Sequence, residues 1–357
     1  MTIILGINAY HGDSSAALIR NGQIVAAAEE ERFRRIKHWA GFPSEAIRYC
    51  LREAGVTLPQ VEYVAVNRDP RENLWRKIRY TVVTRPDLRL LFDRAKNARE
   101  WASIADALGQ AFPGEQFQGQ VHHVEHHLAH LASAFLVSSF DEAVALSVDG
   151  FGDFASACWG IGRGSEIEVQ GKVHFPHSLG MFYQAMTQYL GFPHYGDEYK
   201  VMGLAPYGEP HFIKEMSRMV VLQADGSFQL NLDFFRHHKE NLNYTWKNCA
   251  PAVDRLFSSA LDELLGPARG KDEPLTQRHR DIAHSVQLMY EQAFFHLLNA
   301  LYDRCRLPTL ALAGGCAMNS VANGKVYRNT PFTRMYVQSA AGDAGGAIGA
   351  AFIVWYE

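Results

Sequence analysis

Two histidines four positions apart could hold a metal ion. His126 and His130 would share one face of a helix, which would bring their imidazole rings together. Asp343, in a glycine-rich segment far downstream, is the candidate for an acidic third ligand. Two imidazoles and one carboxylate leave coordination positions free, as a catalytic metal requires. This donor set suits Fe²⁺, Zn²⁺ or Mn²⁺ without choosing among them.

The same histidines are also compatible with a structural role. His122, His123 and His127 crowd the segment and could lie on the surface, in the core or behind the metal ligands. His127 follows His126 by one helical step of about 100°. Its ring should therefore face away from a metal bound by His126 and His130.

Three residues are candidates for acid–base or phosphate contacts. His11 and Asp13 lie in a predicted tight turn after the first strand, and Lys37 follows an acidic run. Turn residues of a ligand-binding hairpin are exposed to the site, so His11 could deprotonate an attacking hydroxyl. Lys37 could hold a phosphate or carbonyl oxygen. The segment 29–35 is equally compatible with a solvated strand end of mixed charge.

Glycine-rich turns could cradle the phosphates of a nucleotide. Gly150 lies in a turn at 149–153 that repeats the first one, and small residues there let backbone N–H groups approach phosphate oxygens. Gly314 and Gly315 join a strand to a helix start near Asn319, a junction that can bind a nucleotide through backbone contacts and the helix dipole. A strand-to-helix junction often needs glycine simply for packing, even where no ligand binds. The pair therefore indicates nucleotide binding only together with the two turns.

The elements that position these residues form a repeated α/β pattern. In the first half the pattern predicts strands at Ile3–Asn8, Ser15–Arg20, Gln23–Glu29 and 61–66, a type I′ turn at Asn21-Gly22 and a helix at 43–55. In the second half it predicts strands at 143–148, 155–161, Thr309–Ala313 and 334–338 and helices at 180–190, 197–204, 278–305, 316–327 and 344–355. A strand, a turn with glycine and aspartate, and a returning strand occur twice, which predicts an internally duplicated fold. The halves would be 1–140 and 141–357.

Two segments depart from this pattern. Residues 71–118 carry many basic side chains with aromatic residues between them, and 223–275 are polar and irregular. We interpret both as insertions, the first of them helical with a solvated basic face. A surface for a partner or an anionic substrate is the alternative for the first.

The composition narrows the class of protein. Hydrophobic residues make up 47% of the 357 residues, and the net charge of −3 gives no support to general nucleic-acid binding. The five cysteines show no paired spacing, so neither a disulfide framework nor a thiolate zinc site is expected. The N-terminus has no signal-peptide features, and no apolar run could span a bilayer. We therefore expect a soluble cytoplasmic protein that does not associate with membranes.

Across these motifs the chain resembles the amino-terminal domain of the O-carbamoyltransferases of the NodU/CmcH type. The resemblance covers nearly the whole length and is looser only over 71–118 and 223–275. It is carried by the residues at 6–18, 29–33, 36–38, 126–130, 147–153, 199–208, 314–319 and 341–345. It implies a duplicated actin/Hsp70-type (ASKHA) ATPase-like α/β fold with helical insertions.

The resemblance implies a two-step reaction that uses ATP. Carbamoyl phosphate and ATP first give carbamoyl-adenylate, which then passes its carbamoyl group to a hydroxyl of a small-molecule acceptor and releases AMP. Family acceptors are natural products and sugars, among them aminoglycosides, cephems, macrolactams and lipo-oligosaccharides. Antibiotic biosynthesis is the setting that this implies.

The resemblance also implies roles for individual residues. Family members hold a metal, often iron, through residues that match His126, His130 and Asp343. The positions that match His11, with Asp13 in the same turn, and Lys37 lie beside the reacting carbamoyl group and the acceptor. The matched motifs place the nucleotide near Gly150, Lys200, Gly203, Gly314, Gly315 and Asn319.

Family members usually continue into a second, YrdC-like domain that makes the adenylate, whereas this sequence stops at Glu357. We therefore expect the chain to perform the transfer half-reaction. Its partner would be such a domain or a separate YrdC-like protein.

Other functions are open on the same fold. An ATP-dependent small-molecule kinase would release ADP and would use magnesium held by aspartate and water rather than by His126 and His130. A metallohydrolase would use the same ligands but gives no role to the glycine-rich turns. A non-catalytic ATP-binding scaffold would tolerate the loss of His11. A tRNA-modifying threonylcarbamoyl-type transferase would use the basic strip at 71–99.

Overall fold

Two mixed β-sheets of five strands each form the centre of the molecule. The computed structural model describes residues 1–84, 104–240, 242, 244–247 and 250–357. The strand order is β3-β2-β1-β4-β5 in the first sheet and β8-β7-β6-β13-β14 in the second. The strands are β1 (Ile3–Asn8), β2 (Ser15–Arg20), β3 (Gln23–Glu29), β4 (Tyr63–Val66), β5 (Gln120–His123), β6 (Glu142–Gly152), β7 (Ala155–Arg163), β8 (Glu166–His174), β9 (Val220–Leu222), β10 (Phe228–Leu230), β11 (Tyr244–Lys247), β12 (Ala250–Val253), β13 (Thr309–Ala313) and β14 (Arg334–Val337).

Helices connect the strands and cover the sheets. The α-helices of the described residues are α1 (Glu31–Arg34), α2 (Ser44–Ala54), α3 (Leu74–Thr84), α4 (Ile104–Ala111), α5 (His126–Phe135), α6 (Leu179–Tyr189), α7 (Glu198–Leu204), α8 (Ile213–Met219), α9 (Ser259–Leu265), α10 (Gln277–Cys305), α11 (Ser320–Asn323), α12 (Val326–Asn329) and α13 (Asp343–Tyr356). Short 3₁₀ turns lie at Leu58–Gln60, Ala205–Tyr207, Leu232–Phe234 and Gly315–Met318.

The two sheets have the same topology. In the first, β1 pairs antiparallel with β2 and parallel with β4, and β3 and β5 extend the two edges. In the second, β6 pairs antiparallel with β7 and parallel with β13, and β8 and β14 extend the edges. The repeat confirms the predicted duplicated actin/Hsp70-type α/β fold, with β1 and β6 as equivalent central strands.

Local sequence signals explain the first of these elements. Asn21 and Gly22 both have positive φ, 49° and 77°, as a type I′ turn requires. The helix α2 ends where Gly55 adopts the left-handed conformation, with φ of 63°. The burial of β1 along its whole length follows from its apolar sequence, because helices cover both faces of its sheet.

Two helices, α5 and α13, join the halves. The helix α13 packs on β1, β2 and β4 of the first sheet, while α5 packs on β6, β7 and β13 of the second, and the two helices pack against each other. A Cβ at Gly349 would lie 1.8 Å from the Ala129 carbonyl oxygen, so only glycine permits this approach. The N-termini of both helices lie beside the turns that follow β1 and β6.

Several expectations differ from the structure. The strands β5 and β8 were not predicted. The predicted helix at 316–327 is a 3₁₀ turn followed by α11 and α12, because Asn319 caps α11 and the chain turns again at Gly324. Segment 223–275 contains β10–β12 and α9 rather than irregular chain alone.

The predicted insertion at 71–118 is helical where it is described, at α3 and α4. Its central part, 85–103, lies outside the described residues, as do residues 241, 243, 248 and 249 of the second insertion. The part of the basic strip between 85 and 99 is therefore outside them too. Among the described residues, no helix combines the length and the apolar character that crossing a bilayer requires.

Candidate metal and acid–base site

Four side chains converge where α5 meets the end of β6 and the start of α13. His126 Nε2 and His130 Nε2 lie 3.1 Å apart, and the Asp149 Oδ2 atom lies 3.2 Å and 3.1 Å from them. The Asp343 Oδ1 atom lies 3.5 Å from both ring nitrogens. All four side chains are nearly or fully buried. We call His126, His130, Asp149 and Asp343 the His–Asp cluster.

The geometry of the His–Asp cluster fits a bound metal ion. Metal–nitrogen and metal–oxygen bonds of about 2.0–2.2 Å put neighbouring ligand atoms roughly 3.0–3.5 Å apart, and the distances above fall in that range. The buried Asp343 Oδ1 atom accepts no hydrogen bond from the described residues. A buried carboxylate oxygen of this kind needs a cationic or donating partner. Imidazole and carboxylate donors suit a transition metal.

Asp149 was not predicted as a ligand, because its turn was interpreted as a phosphate cradle. The backbone N–H groups of Gly150 and Gly315 donate to Asp149 Oδ1 at 2.8 Å and 3.0 Å. Because Oδ1 is occupied in this way, Oδ2 is directed at the two histidines. A Cβ at Gly315 would lie 2.8 Å from Oδ1. The observable signal was an aspartate at the end of a buried strand equivalent to β1.

The start of α5 is fixed by acidic side chains. Glu125 caps the helix by accepting from the Leu128 N–H, and Asp153 Oδ2 accepts from the His126 N–H at 3.0 Å. His127 points away from the His–Asp cluster, as predicted, since its Nδ1 atom contacts Ser147 Oγ at 2.8 Å. These contacts set the rotation of α5 about its axis, and this rotation directs the His126 and His130 side chains into the site.

The carboxylates of the His–Asp cluster favour positive charge at its centre. Burial disfavours the charged form of His130, but the nearby carboxylates of Asp149 and Asp343 outweigh it and raise its pKa to about 10. Burial and the neighbouring Asp149 carboxylate would raise the pKa of Asp343, yet His11 and His130 outweigh them and lower it overall. A metal ion bound by these groups would take the place of such protons.

His11 links the first turn to the His–Asp cluster. Its Nδ1 atom forms an ion pair with Asp343 Oδ2, and its side chain is 33% exposed. The Asn8 side chain donates to the Gly12 and Asp13 carbonyl oxygens at 3.1 Å and 2.9 Å and so holds the turn. Burial lowers the pKa of His11, but Asp343 outweighs it and the net shift is upward.

Asp13 and Lys37 do not join the His–Asp cluster directly. Asp13 Oδ1 pairs with His38 Nδ1 at 2.7 Å, a partner that was not predicted. Lys37 is exposed, and its ammonium lies 5.1 Å from the centre of the Tyr199 ring. No described contact brings Lys37 to His11, so its predicted role in holding an oxygen stays a prediction.

The glycines predicted to contact the nucleotide differ in whether packing within the protein explains them. Gly314 has a φ of 91°, and a Cβ there would lie 2.2 Å from the Val148 carbonyl oxygen, so packing alone demands glycine. A Cβ at Gly150 or Gly203 would meet open space. These two glycines therefore leave room for a ligand, whereas the N–H of Gly315 is engaged by Asp149.

Asn319 and Lys200 have protein partners. The Asn319 side chain exchanges hydrogen bonds with Gln287 at 2.9 Å and 3.0 Å and caps α11. Lys200 Nζ lies 2.6 Å from Asp197 Oδ1 and is about one-third exposed. Both stay predicted nucleotide contacts.

Arg68 is a further cation near the site that sequence reasoning missed. Its Nε atom lies 3.8 Å from Asp153 Oδ1, and burial lowers its pKa against the opposing effect of Asp153 and Asp343. Arg68 follows β4 without any motif around it, so the sequence alone did not mark it as a site residue.

The fold and the His–Asp cluster define a duplicated ATPase-like protein with a candidate metal centre at the interface of its halves. The family model for the carbamoyltransferase N-terminus matches residues 3–352. The chain therefore belongs to the carbamoyltransferase family, and it corresponds to that family's N-terminal part.

The chain is also similar to individual proteins. The chain is 41% identical over 371 residues to the uncharacterized protein sll1178 of Synechocystis sp., covering 100% of this chain and 57% of that protein. It is 34% identical over 359 residues to nodulation protein NolNO of Sinorhizobium fredii, covering 98% of this chain and 47% of that protein. The chain spans about half the length of these curated relatives. T. kodakarensis HypF has a TM-score of 0.44 at 15% identity, covering 99% of this chain and 47% of that chain.

Proposed function

We propose that this chain transfers a carbamoyl group from carbamoyl-adenylate to a hydroxyl of a small-molecule acceptor and releases AMP. The observation that carries the proposal is the convergence of the His–Asp cluster with His11 in a member of the carbamoyltransferase family. The site combines a candidate metal centre with an acid–base group beside it. Both features assist transfer of a carbamoyl group from its mixed anhydride with a phosphate.

The four residues of the His–Asp cluster would hold the metal, with iron as the first expectation and zinc or manganese as the alternatives. When bound, a divalent metal would supply positive charge that stabilises the phosphate of the adenylate as a leaving group. Asp149 is held for this role by two backbone N–H groups. Asp343 faces the other members of the cluster with its Oδ1 atom and pairs with His11 through its Oδ2 atom.

His11 is the proposed base. With Nδ1 donating to Asp343, its Nε2 atom is the one that can accept a proton from the acceptor hydroxyl. The acceptor oxygen then bonds to the carbamoyl carbon, the bond from that carbon to the phosphate oxygen breaks, and AMP leaves. The proton ends on His11. Asp343 would orient the ring in this step, as a carboxylate does in other acid–base pairs.

The nucleotide would lie over the open positions beside Gly150 and Gly203. The carbamoyl-adenylate would come from a YrdC-like domain or partner protein that uses ATP and carbamoyl phosphate. The acceptor would be a natural product or a sugar. These three points rest on the resemblance and on family membership.

A transfer assay with synthetic carbamoyl-adenylate tests the proposal. The purified chain, loaded with Fe²⁺, is given the adenylate and a panel of hydroxyl acceptors, and products are separated by mass spectrometry. We expect a carbamoylated alcohol and an equal amount of AMP. Transfer of phosphate from ATP with release of ADP would instead identify a kinase. Transfer to tRNA alone would identify the tRNA-modifying alternative.

A further inference from the structure

A tyrosine of the second half faces the turn that carries His11. A Cβ at Gly12 would lie 2.9 Å from the Tyr195 hydroxyl oxygen and 3.2 Å from its Cζ atom. A side chain at position 12 would therefore displace the tyrosine ring. The Tyr195 hydroxyl lies against the backbone that separates His11 from Asp13.

The Tyr195 ring is held in place by the first half. The His38 ring meets it edge-on, at 5.3 Å between centroids and 80° between planes. His38 is itself bonded to Asp13. Gly196 has a φ of 83°, and a Cβ there would lie 2.1 Å from His38 Nε2, so glycine is required at this contact. Gly196 therefore packs closely against His38, and His38 in turn contacts the Tyr195 ring.

The Tyr195 hydroxyl is available as a donor. No group of the described residues accepts a hydrogen bond from it, although the side chain is half-buried. Burial, and next the carboxylates of Asp13, Asp343 and Asp149, raise its pKa well above the ordinary value. The hydroxyl therefore stays protonated at neutral pH. A half-buried tyrosine O–H group without a protein acceptor is free to donate to water or to a bound ligand.

We propose that the Tyr195 hydroxyl donates a hydrogen bond to the carbonyl oxygen of the carbamoyl group during transfer, an inference that rests on the proposed function. When the acceptor oxygen bonds to the carbamoyl carbon, the carbonyl oxygen gains negative charge. When the bond from that carbon to the phosphate oxygen breaks, the carbonyl is restored and AMP leaves, with the acceptor proton on His11. A donor aimed at this oxygen stabilises the transition state. Tyr195 is a catalytic residue in this account.

The variant Tyr195→Phe tests the role of the hydroxyl, because it keeps the ring between Gly12 and His38. With the acceptor found in the transfer assay, we expect kcat to fall about 10²–10³-fold while KM for carbamoyl-adenylate changes little. The matched control Tyr327→Phe removes the hydroxyl of a tyrosine that is 53% exposed, and it should keep the wild-type rate. Wild-type kcat in Tyr195→Phe would overturn the inference and leave the proposed function intact.

A binding measurement separates the inference from catalysis. Calorimetry compares a hydrolysis-inert probe, carbamoylsulfamoyl-adenosine, with sulfamoyl-adenosine, which lacks the carbamoyl group. The wild type should bind the carbamoyl probe more tightly, and Tyr195→Phe should reduce that preference about tenfold. An unchanged preference would overturn the inference. A wild type that binds neither probe would overturn the inference and the proposed function together. Binding without transfer to any acceptor would overturn the proposed function, and with it the role of Tyr195 in transfer, even if the preference for the carbamoyl probe depends on the hydroxyl.

Discussion

The turns after β1 and β6 occupy equivalent places in two sheets of the same strand order, yet they carry different side chains. The first turn presents His11, one-third exposed, and is braced by Asn8. At the second place, Asp149 lies in the irregular last part of β6 and Asp153 in the turn that follows, and their side chains are 13% and 1% exposed. Asp149 faces the histidines of α5, and Asp153 accepts the N–H at the start of that helix.

The difference shows that the two halves share the same strand arrangement, whereas the side chains at equivalent positions differ and determine the chemistry. Both turns were interpreted from the sequence as phosphate cradles, because both combine glycine and aspartate after a buried strand. In the structure the first turn carries the titratable group that can meet a substrate. The second carries a carboxylate that is buried and directed at the metal-ligand positions. One turn would move the proton, and the other would help to hold the metal.

Breaking the metal side of the site should have the largest effect. Either His130→Ala or Asp149→Asn should remove a ligand, release the metal and lower transfer below detection, because even changes around metal ligands cost about 10–100-fold. The measurements are metal content by mass spectrometry and the transfer rate. His211→Ala, at an exposed histidine, is the matched control and should keep both. Retained metal in His130→Ala would contradict the ligand assignment.

Breaking the proton side should slow the reaction without removing the metal. We expect His11→Ala to lower kcat for transfer by about 10²–10⁴-fold, the usual contribution of a general base. Metal content and binding of AMP should stay close to wild type, since His11 pairs with Asp343 Oδ2, whereas the other oxygen of that carboxylate, Oδ1, faces His126 and His130. A wild-type rate in this variant would remove His11 from the mechanism. Loss of metal would place it among the ligands.

Gly315→Ala sharpens the comparison, because the Gly315 N–H donates to Asp149 at the end of β6. The new Cβ would lie 2.8 Å from Asp149 Oδ1 and push the carboxylate from its place. We expect metal affinity to fall about tenfold, the scale of changes beside metal ligands. Gly109→Ala, where a Cβ meets open space, is the control. If Gly315→Ala weakens AMP binding alone, the glycine serves the nucleotide, as the sequence first indicated, and not the metal.

The smallest effect concerns the pair between His38 and Asp13, which braces the first turn. Burial opposes charge on His38, but Asp13 outweighs it and raises the pKa of His38 above 6.5. Because the folded pKa is the higher one, the stabilisation is fully present below pH 6.5 and is lost as pH rises through the folded pKa. We expect wild type to exceed His38→Asn in unfolding free energy by about 1 kcal/mol in mild acid and by less in alkali. Urea unfolding measures this, and a difference independent of pH would contradict it.

Local patterns were enough to predict much of the frame. Strand β1, the Asn21-Gly22 turn and α2 follow from apolar runs, turn chemistry and a glycine stop, which act within a few residues. The i,i+4 spacing of His126 and His130 likewise needs only a helix. The edge strands β5 and β8 were missed because half-exposed strands carry a weak apolar signal.

The remaining site residues depend on contacts between distant parts of the chain. Asp149 became a candidate ligand only when α5 was placed against β6, and His38 and Tyr195 meet only because segment 194–198 reaches the first half. Arg68 is similar, since its neighbours Asp153 and Asp343 come from the other half. Such contacts follow from the packing of the two sheets around α5 and α13, which no single segment encodes.

The most direct test of the metal centre is anomalous X-ray scattering from crystals of the chain purified without chelator and supplied with Fe²⁺. Data collected on both sides of the iron absorption edge locate the ion. The account predicts about one strong anomalous peak per chain, bounded by His126, His130, Asp149 and Asp343. A peak elsewhere would contradict a metal-assisted transfer site at this position. So would the absence of a peak in a map that shows the four side chains clearly.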